Sequence, residues 1–350
     1  MKKYLYYLVF RVARSKGVSF DENSAWQKVM SKCKYPQRKI YNKLWILYAA
    51  SFALVMTIAG VLFFSLFKNN VADQAPIYAC QSSNVELILV NGEKMNLQNV
   101  EKYVAQDLNI SLTRDTANGR IIYKNTKGAD NPQYMTNNKL VVPKGRTFSF
   151  VLPDSSKVLL NSETVLEFPV SFSADSRTVY LKGEAYFEVA HNSKAPFRVI
   201  TGKNEIQVLG TIFNVSAYPD EIYCRTTLIE GKVSVLHGEK NYLLHPSEEC
   251  TIDNQTGEIS IKEVDSFYAT SWIDGKYFFK NCRFEEIILK LQRLYDFDVD
   301  YINPEIKDMK FRGFVDKKES LMDNLQMFEK TGAVYFEMYE HTLYVNSGRR

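Results

Sequence analysis

Four histidines, two neighbouring glutamates and five cysteines are the residues from which a chemical function would be built. His191, His237, His245 and His341 are scattered, and none stands at the i, i+4 or short-gap spacing that brings two imidazoles onto one metal ion. Each lies beside turn residues and reads as an exposed turn histidine. Glu184 and Glu188 lie four positions apart and would offer the paired carboxylates of a glycosidase. Yet Glu184 sits at a turn and Glu188 in an alternating strand, where a carboxylate is expected to face solvent. There is no C-x-x-C pair, and no nucleophile elbow, phosphate-cradling loop or dinucleotide fingerprint occurs. No cofactor, no metal site and no catalysis on a substrate are expected.

The elements around these residues are mostly strands. From about Val85 to Ile261, short β-branched and aromatic runs are separated by turn residues, as in Thr147–Leu152, the turn Pro153-Asp154-Ser155-Ser156, and Lys157–Leu160. Val179–Leu181, Gly183 and Ala185–Val189 follow the same plan, as do Phe197–Ile200, Ile206–Leu209, Ile212–Val215, Tyr223–Ile229 and Val233–Leu236. An all-β domain results, either a sandwich or a short β-helical wrap; the spacing leaves both open. Past Trp272 the period changes. Tyr277–Phe279 reads as a strand, and Phe284, Ile287, Ile288, Leu291, Leu294 and Tyr295 form one apolar helical face. Val299–Ile302 and Met309–Phe314 read as strands. Ser320 and Asp323 mark a helix start, Leu321, Leu325 and Phe328 give that helix an apolar side, and Gly332 is its expected stop. Val334–Glu337 and Thr342–Val345 complete a small α+β domain of order β-α-β-β-α-β-β.

Leu44–Phe67 holds 24 residues without a charge. As a helix it would be roughly 36 Å long, enough for a hydrocarbon layer of about 30 Å. Trp45 and Tyr48 would lie at one rim and Phe63, Phe64 and Phe67 at the other. Residues 1–43 hold eleven Lys/Arg against Asp21 and Glu22, which leaves 33 basic and 38 acidic residues in the remainder. The positive-inside rule then predicts a cytoplasmic tail and a periplasmic C-terminal portion, in a single-pass protein of the bacterial inner membrane. Cys33 would be kept reduced, whereas Cys80, Cys224, Cys250 and Cys282 would face an oxidising space with their pairing open. In the tail, Leu5, Leu8, Val9 and Val12 form a helical stripe among Lys3, Arg11 and Arg14. That stripe suits a partner groove or an anionic lipid surface, and Trp26 is a candidate partner anchor.

Several blocks resemble the FecR family of membrane-spanning anti-sigma regulators, in the form common in Bacteroidetes. They are Val142-Pro143-Lys144-Gly145, Leu152-Pro153-Asp154, Val158–Ser162, Phe168-Pro169-Val170, Gly183–Val189, Pro196-Phe197, Val208–Val215 and Glu230–Val233. Downstream, Trp272–Phe279, Leu291–Tyr295 and Phe311–Phe314 resemble the family's C-terminal domain, which is similar to the short N-terminal domain of secretins and TonB-dependent receptors. The family's Asp-Gly turn is Asp154-Ser155 here, and the tail is shorter than family members usually carry.

The resemblance implies five stretches: a short basic sigma-binding tail (1–43), a transmembrane helix (44–67), a linker with the first strands (68–140), the FecR-like β domain (141–265) and the C-terminal domain (272–346). It implies a relay. The signalling domain of a TonB-dependent outer-membrane receptor would meet the C-terminal domain, the signal would cross the membrane, with site-specific proteases taking part, and an extracytoplasmic-function (ECF) sigma factor would be held or released; no direct nucleic-acid contact is implied. Some regulators of this type are similar to proteins that cut themselves at a Gly-Thr bond by an N→O acyl shift. Gly210-Thr211 occupies that block, although a bulge glycine before a strand threonine accounts for it as well. The alternative function is a membrane-anchored periplasmic binding or scaffold protein without sigma-factor contact; a tethered glycan hydrolase is a more remote one.

Overall fold

Alternating burial shapes most of the structure. Strand Thr164–Pro169 turns Thr164, Leu166 and Phe168 inward, and all three are fully buried, whereas Val165, Glu167 and Pro169 are only half-buried. Phe197–Thr201 repeats the pattern with Phe197, Val199 and Thr201 inside. Residues two apart share one face of a pleated strand, so each segment has an apolar face that must meet another. The computed structural model describes residues 84–125 and 137–348, all within the unit Asp73–Arg350.

Two sheets enclose the larger core. One runs Lys94–Asn96, Glu86–Ile88, Asn137–Val142, Thr164–Pro169, the first half of Arg177–Glu188, Phe197–Thr201, Asn204–Val208, Val233–His237 and Lys240–Leu244. The other runs Lys102–Ala105, Ile110–Asp115, Arg120–Asn125, Phe148–Val151, Lys157–Leu160, the second half of Arg177–Glu188, Ile212–Ala217, Tyr223–Glu230, Glu248–Asp253 and Ile259–Glu263. Successive hairpins from Phe197 onward alternate between the sheets, so a sandwich is wound as a wrap. Phe187 stacks on Phe213 at 5.1 Å in its core, and Phe168 meets Tyr123 edge-on at 5.3 Å.

Arg177–Glu188 belongs to both sheets. Arg177–Tyr180 pairs with Phe197–Ile200 in one, and Gly183–Glu188 pairs with Ile212–Ala217 in the other. The sequence suggested two short strands around a glycine turn; instead a single strand bends through Gly183. Its φ of +118° and a Cβ position only 2.5 Å from Thr164 Oγ1 explain why glycine stands there.

The C-terminal domain has its own core. After the short helix α1 (Phe267–Thr270) come strand Lys276–Arg283, helix α2 (Phe284–Leu294), strands Asp298–Tyr301 and Lys310–Asp316, helix α3 (Leu321–Glu329), and strands Tyr335–Tyr339 and Thr342–Asn346. Lys276–Arg283 pairs with Lys310–Asp316, and Thr342–Asn346 lies between Asp298–Tyr301 and Tyr335–Tyr339. Helix α2 buries Phe284, Ile287, Ile288, Leu291 and Leu294 in this core, each contributing about 1.5–3 kcal/mol of apolar burial. Helix α3 starts at Ser320, whose hydroxyl accepts from the Asp323 amide.

The expected membrane-anchored fold built on a single transmembrane helix requires correction. The structure is mostly strand, at 51%, with few helices, and among the described residues no helix is long and apolar enough to cross a membrane. The longest of those described, α2, has 11 residues, or about 16 Å against a hydrocarbon layer of about 30 Å. Leu44–Phe67 lies outside the described residues. A transmembrane helix is not shown.

Candidate functional site

Helix α2 has a second face. Opposite its apolar stripe, Glu286, Lys290 and Arg293 recur at i, i+4 and i+7 and point at the sandwich. Arg293 is buried. Its Nη2 donates to Asp220 Oδ1 at 2.6 Å, its Nη1 lies 3.2 Å from Glu221 Oε1, and its guanidinium sits 3.7 Å from the Tyr218 ring centroid. Its backbone carbonyl accepts from the Gly145 amide at 2.8 Å. Two turns toward the helix start, Glu286 Oε2 accepts from Arg225 Nη2 at 2.6 Å.

Glu184 lies at the centre of this seam. It is buried, and its two oxygens accept from Asn161 Nδ2 at 2.8 Å and Asn214 Nδ2 at 3.1 Å. Each amide passes the contact on to the other domain. Asn161 Oδ1 accepts from the Tyr277 hydroxyl at 3.1 Å, and Asn214 Oδ1 accepts from Trp272 Nε1 at 3.3 Å. A carboxylate in the sandwich thus orients two amides, and these hold two aromatic residues at the entrance to the C-terminal domain.

Burial sets the electrostatics. It raises the carboxyl of Glu221, assisted by the like charge of Glu184 and opposed by Lys290 and Arg293. For Lys290 burial pulls downward, but Glu184 and Glu221 outweigh it and the ammonium is held above its usual value. Neither Glu221 oxygen has a well-aligned hydrogen-bond donor among the described residues, so charge rather than directed bonding holds it to Arg293. A cleft of about 810 Å³ opens beside the seam, lined in part by Arg225, Glu286, Lys290, Tyr268 and Lys280. The arrangement can clamp two domains and respond to charge. The Cys282 thiol donates to Glu286 Oε2 at 3.8 Å, but burial pushes it up to about 12, so it is not an activated nucleophile.

The residues singled out from the sequence are dispersed. Glu188 faces out and pairs with Lys157 at 2.7 Å, whereas Glu184 is buried, contrary to the solvent-facing expectation. Four residues along a strand separate them by about 13 Å, beyond either glycosidase spacing. His237 Nδ1 lies 2.6 Å from Asn204 Oδ1, His341 lies 3.8 Å from Asp296, and His191 is exposed. Cys224, Cys250 and Cys282 are free thiols, pushed by burial up to about 12, about 11 and about 12. Gly210-Thr211 precedes strand Ile212–Ala217, and the buried Thr211 hydroxyl donates to the Lys232 carbonyl at 2.9 Å. A Cβ on Gly231 would lie 2.9 Å from that hydroxyl. Leu5, Leu8, Val12, Trp26, Trp45, Tyr48, Phe63, Phe64, Phe67 and Cys80 lie outside the described residues.

Sequence reasoning missed Arg293, Lys290, Glu221 and Arg225. For Lys290 and Arg293 the one signal was the Glu286–Lys290–Arg293 spacing, which on an isolated helix reads as a solvated face.

Residues 138–234 match the family described as FecR protein, and residues 276–345 match FecR, C-terminal. The chain belongs to the FecR family. The two matched stretches meet at the seam, where the FecR region supplies Glu184, Asp220, Glu221 and Arg225, and the FecR C-terminal region supplies Tyr277, Glu286, Lys290 and Arg293. FecR chains of this kind are regulatory, and this one is a regulator rather than an enzyme. Two crystal structures of a candidate anti-sigma factor from Parabacteroides distasonis ATCC 8503, at 1.65 and 2.50 Å resolution, share its fold. Each is 29% identical, covers 60% of this chain and 99% of its own, and superposes with TM-scores of 0.58 and 0.57 respectively. No protein of curated function matches the chain.

Proposed function

We infer that this FecR-family chain regulates a sigma factor of the ECF class, and that the signalling domain of a TonB-dependent outer-membrane receptor engages its C-terminal domain. The similarity to a candidate anti-sigma factor over both domains supports the sigma-factor role. The observation that carries the reading is the double-faced helix α2. Its apolar side is the core of the C-terminal domain and its charged side is the clamp on the sandwich. A partner bound to the C-terminal domain therefore bears directly on the clamp. In this reading Trp26 and the stripe Leu5, Leu8 and Val12 contact the sigma factor at the other end of the chain.

Promoter reporters for the ECF sigma factors of the host test the reading. Deleting the chain is expected to change the signal of one reporter several-fold and to abolish its response to the receptor, and the full chain is expected to restore both. Indifference of every reporter to deletion of the chain would overturn the assignment.

A further inference from the structure

The two-stranded sheet of the C-terminal domain has one face in the core and one outside. Tyr277, Phe279, Phe311 and Val315 point inward and are buried. The alternate positions Lys276, Phe278 and Lys280 on one strand, and Lys310, Arg312, Phe314 and Asp316 on the other, form the outer face. Phe278 stacks on its cross-strand partner Phe314 at 5.4 Å, and Phe267 of α1 adds a third ring 4.9 Å from Phe278. Phe314 is 41% exposed and Phe267 48%. Two exposed rings flanking the half-buried Phe278 form a contiguous aromatic patch, which marks an interaction site.

The charges around the rings are unbalanced. Asp316 answers Lys276 at 3.9 Å. Lys280, Lys310 and Arg312 have no carboxylate within ion-pair distance among the described residues. Lys280 instead lies over the Tyr268 ring at 5.8 Å. Exposed Glu263 and Asp265 line the adjoining cleft with Lys280 and Lys310 without pairing with them. Aromatic rings beside an unneutralised arginine have the composition of an interface centre.

We propose that this face docks an acidic surface of the receptor's signalling domain, with an apolar side chain of that partner seated among Phe267, Phe278 and Phe314. The proposal rests on the receptor reading above and names the surface that serves it. Strand Lys276–Arg283 runs directly into α2, with Arg283 as the helix cap. Occupation of the face thus acts on the element that carries Glu286, Lys290 and Arg293.

The test measures binding of the purified signalling domains of the host's TonB-dependent receptors to the full chain, by calorimetry at low and high salt. Phe314→Ala and Arg312→Glu are compared with the unaltered chain and with Asp300→Ala on the other sheet. Each of the first two is expected to weaken binding about tenfold or more, added salt is expected to weaken the unaltered pair, and Asp300→Ala is expected to leave binding unchanged. Binding that survives both face variants overturns the face and leaves the receptor reading standing. No binding by the unaltered chain overturns both. Capture of the chain by anionic phospholipid vesicles that is lost in the same variants, with receptor binding intact, would assign the face to lipid and also overturn the proposal.

Discussion

Arg293 Nη2 lies 2.6 Å from Asp220 Oδ1, across 73 residues of sequence and between two separate hydrophobic cores. The two partners are unequal. Arg293 is 5% exposed at its side chain and Asp220 is 54%, while Glu221, on the same guanidinium, is 3% exposed. Asp220 can be rehydrated once its partner is lost, but Glu221 cannot. Removing the arginine therefore leaves a buried carboxylate short of countercharge.

Arg293→Ala is accordingly expected to destabilise the C-terminal domain by about 3–5 kcal/mol, the cost of breaking a buried pair from one side. Asp220→Ala is expected to cost under about 1 kcal/mol, as exposed pairs do. Urea unfolding followed by tryptophan fluorescence measures both, since Trp272 is buried at the seam. Equal effects of the two substitutions would show that the asymmetry of burial does not govern the clamp.

Glu221 makes the clamp pH-dependent. Burial raises its carboxyl above the ordinary glutamate value, so the folded state holds its proton more tightly than the unfolded chain. The sign follows from linkage. Stability from this group is fully present below the ordinary glutamate pKa of about 4.3 and is lost as pH rises through the raised folded value. Glu221→Gln removes the titration. The melting temperature of the unaltered chain minus that of Glu221→Gln is expected to fall as pH rises from about 4, and a flat difference would refute the assignment.

Gly183 provides a test of the shared strand. A methyl group there would lie within 2.8 Å of three Thr164 atoms, one of them Cα, at a φ of +118°. Gly183→Ala combines backbone strain with overpacking and is expected to cost about 3 kcal/mol or more. Gly119 also has positive φ, at +63°, but nothing lies within 4 Å of its Cβ position. Gly119→Ala is expected to cost only about 1 kcal/mol. Denaturant midpoints of the two variants measure the contrast.

The thiols offer a chemical check. Burial pushes Cys224 and Cys282 up to about 12 and Cys250 up to about 11, so almost no thiolate exists at pH 8 and alkylation is slow. Peptide mapping after iodoacetamide treatment is expected to find these three unlabelled in the native chain and labelled in urea. Rapid native labelling of Cys224 would mean that the sandwich opens around it.

The helices of the C-terminal domain were legible because their signals are local. Phe284, Ile287, Ile288, Leu291 and Leu294 mark a buried face by spacing alone, and Ser320 caps α3 through a residue three positions away. The seam was not legible. Its ion pairs join residues 61 and 73 positions apart, and its stripe on α2 has the pattern of an ordinary wet surface. Glu184 misled for a similar reason. The strand keeps one alternation through Gly183, with Val179, Leu181, Ala185 and Phe187 all inside, so nothing local shows that the opposite side becomes covered after the bend. There Glu184 is buried and Tyr186 packs on the second core. The apolar run Leu44–Phe67 prompted a membrane-anchored fold, while the described residues form a β structure with short helices.

Co-purification of the full chain with the ECF sigma factors of its host measures the central claim most directly. The account predicts a stable complex with one of them from cells producing both proteins, with sigma-factor recovery reduced at least about tenfold by Trp26→Ala, as loss of a buried interface tryptophan would require. Full recovery of the chain with no sigma factor bound, whether or not the receptor is present, would contradict it.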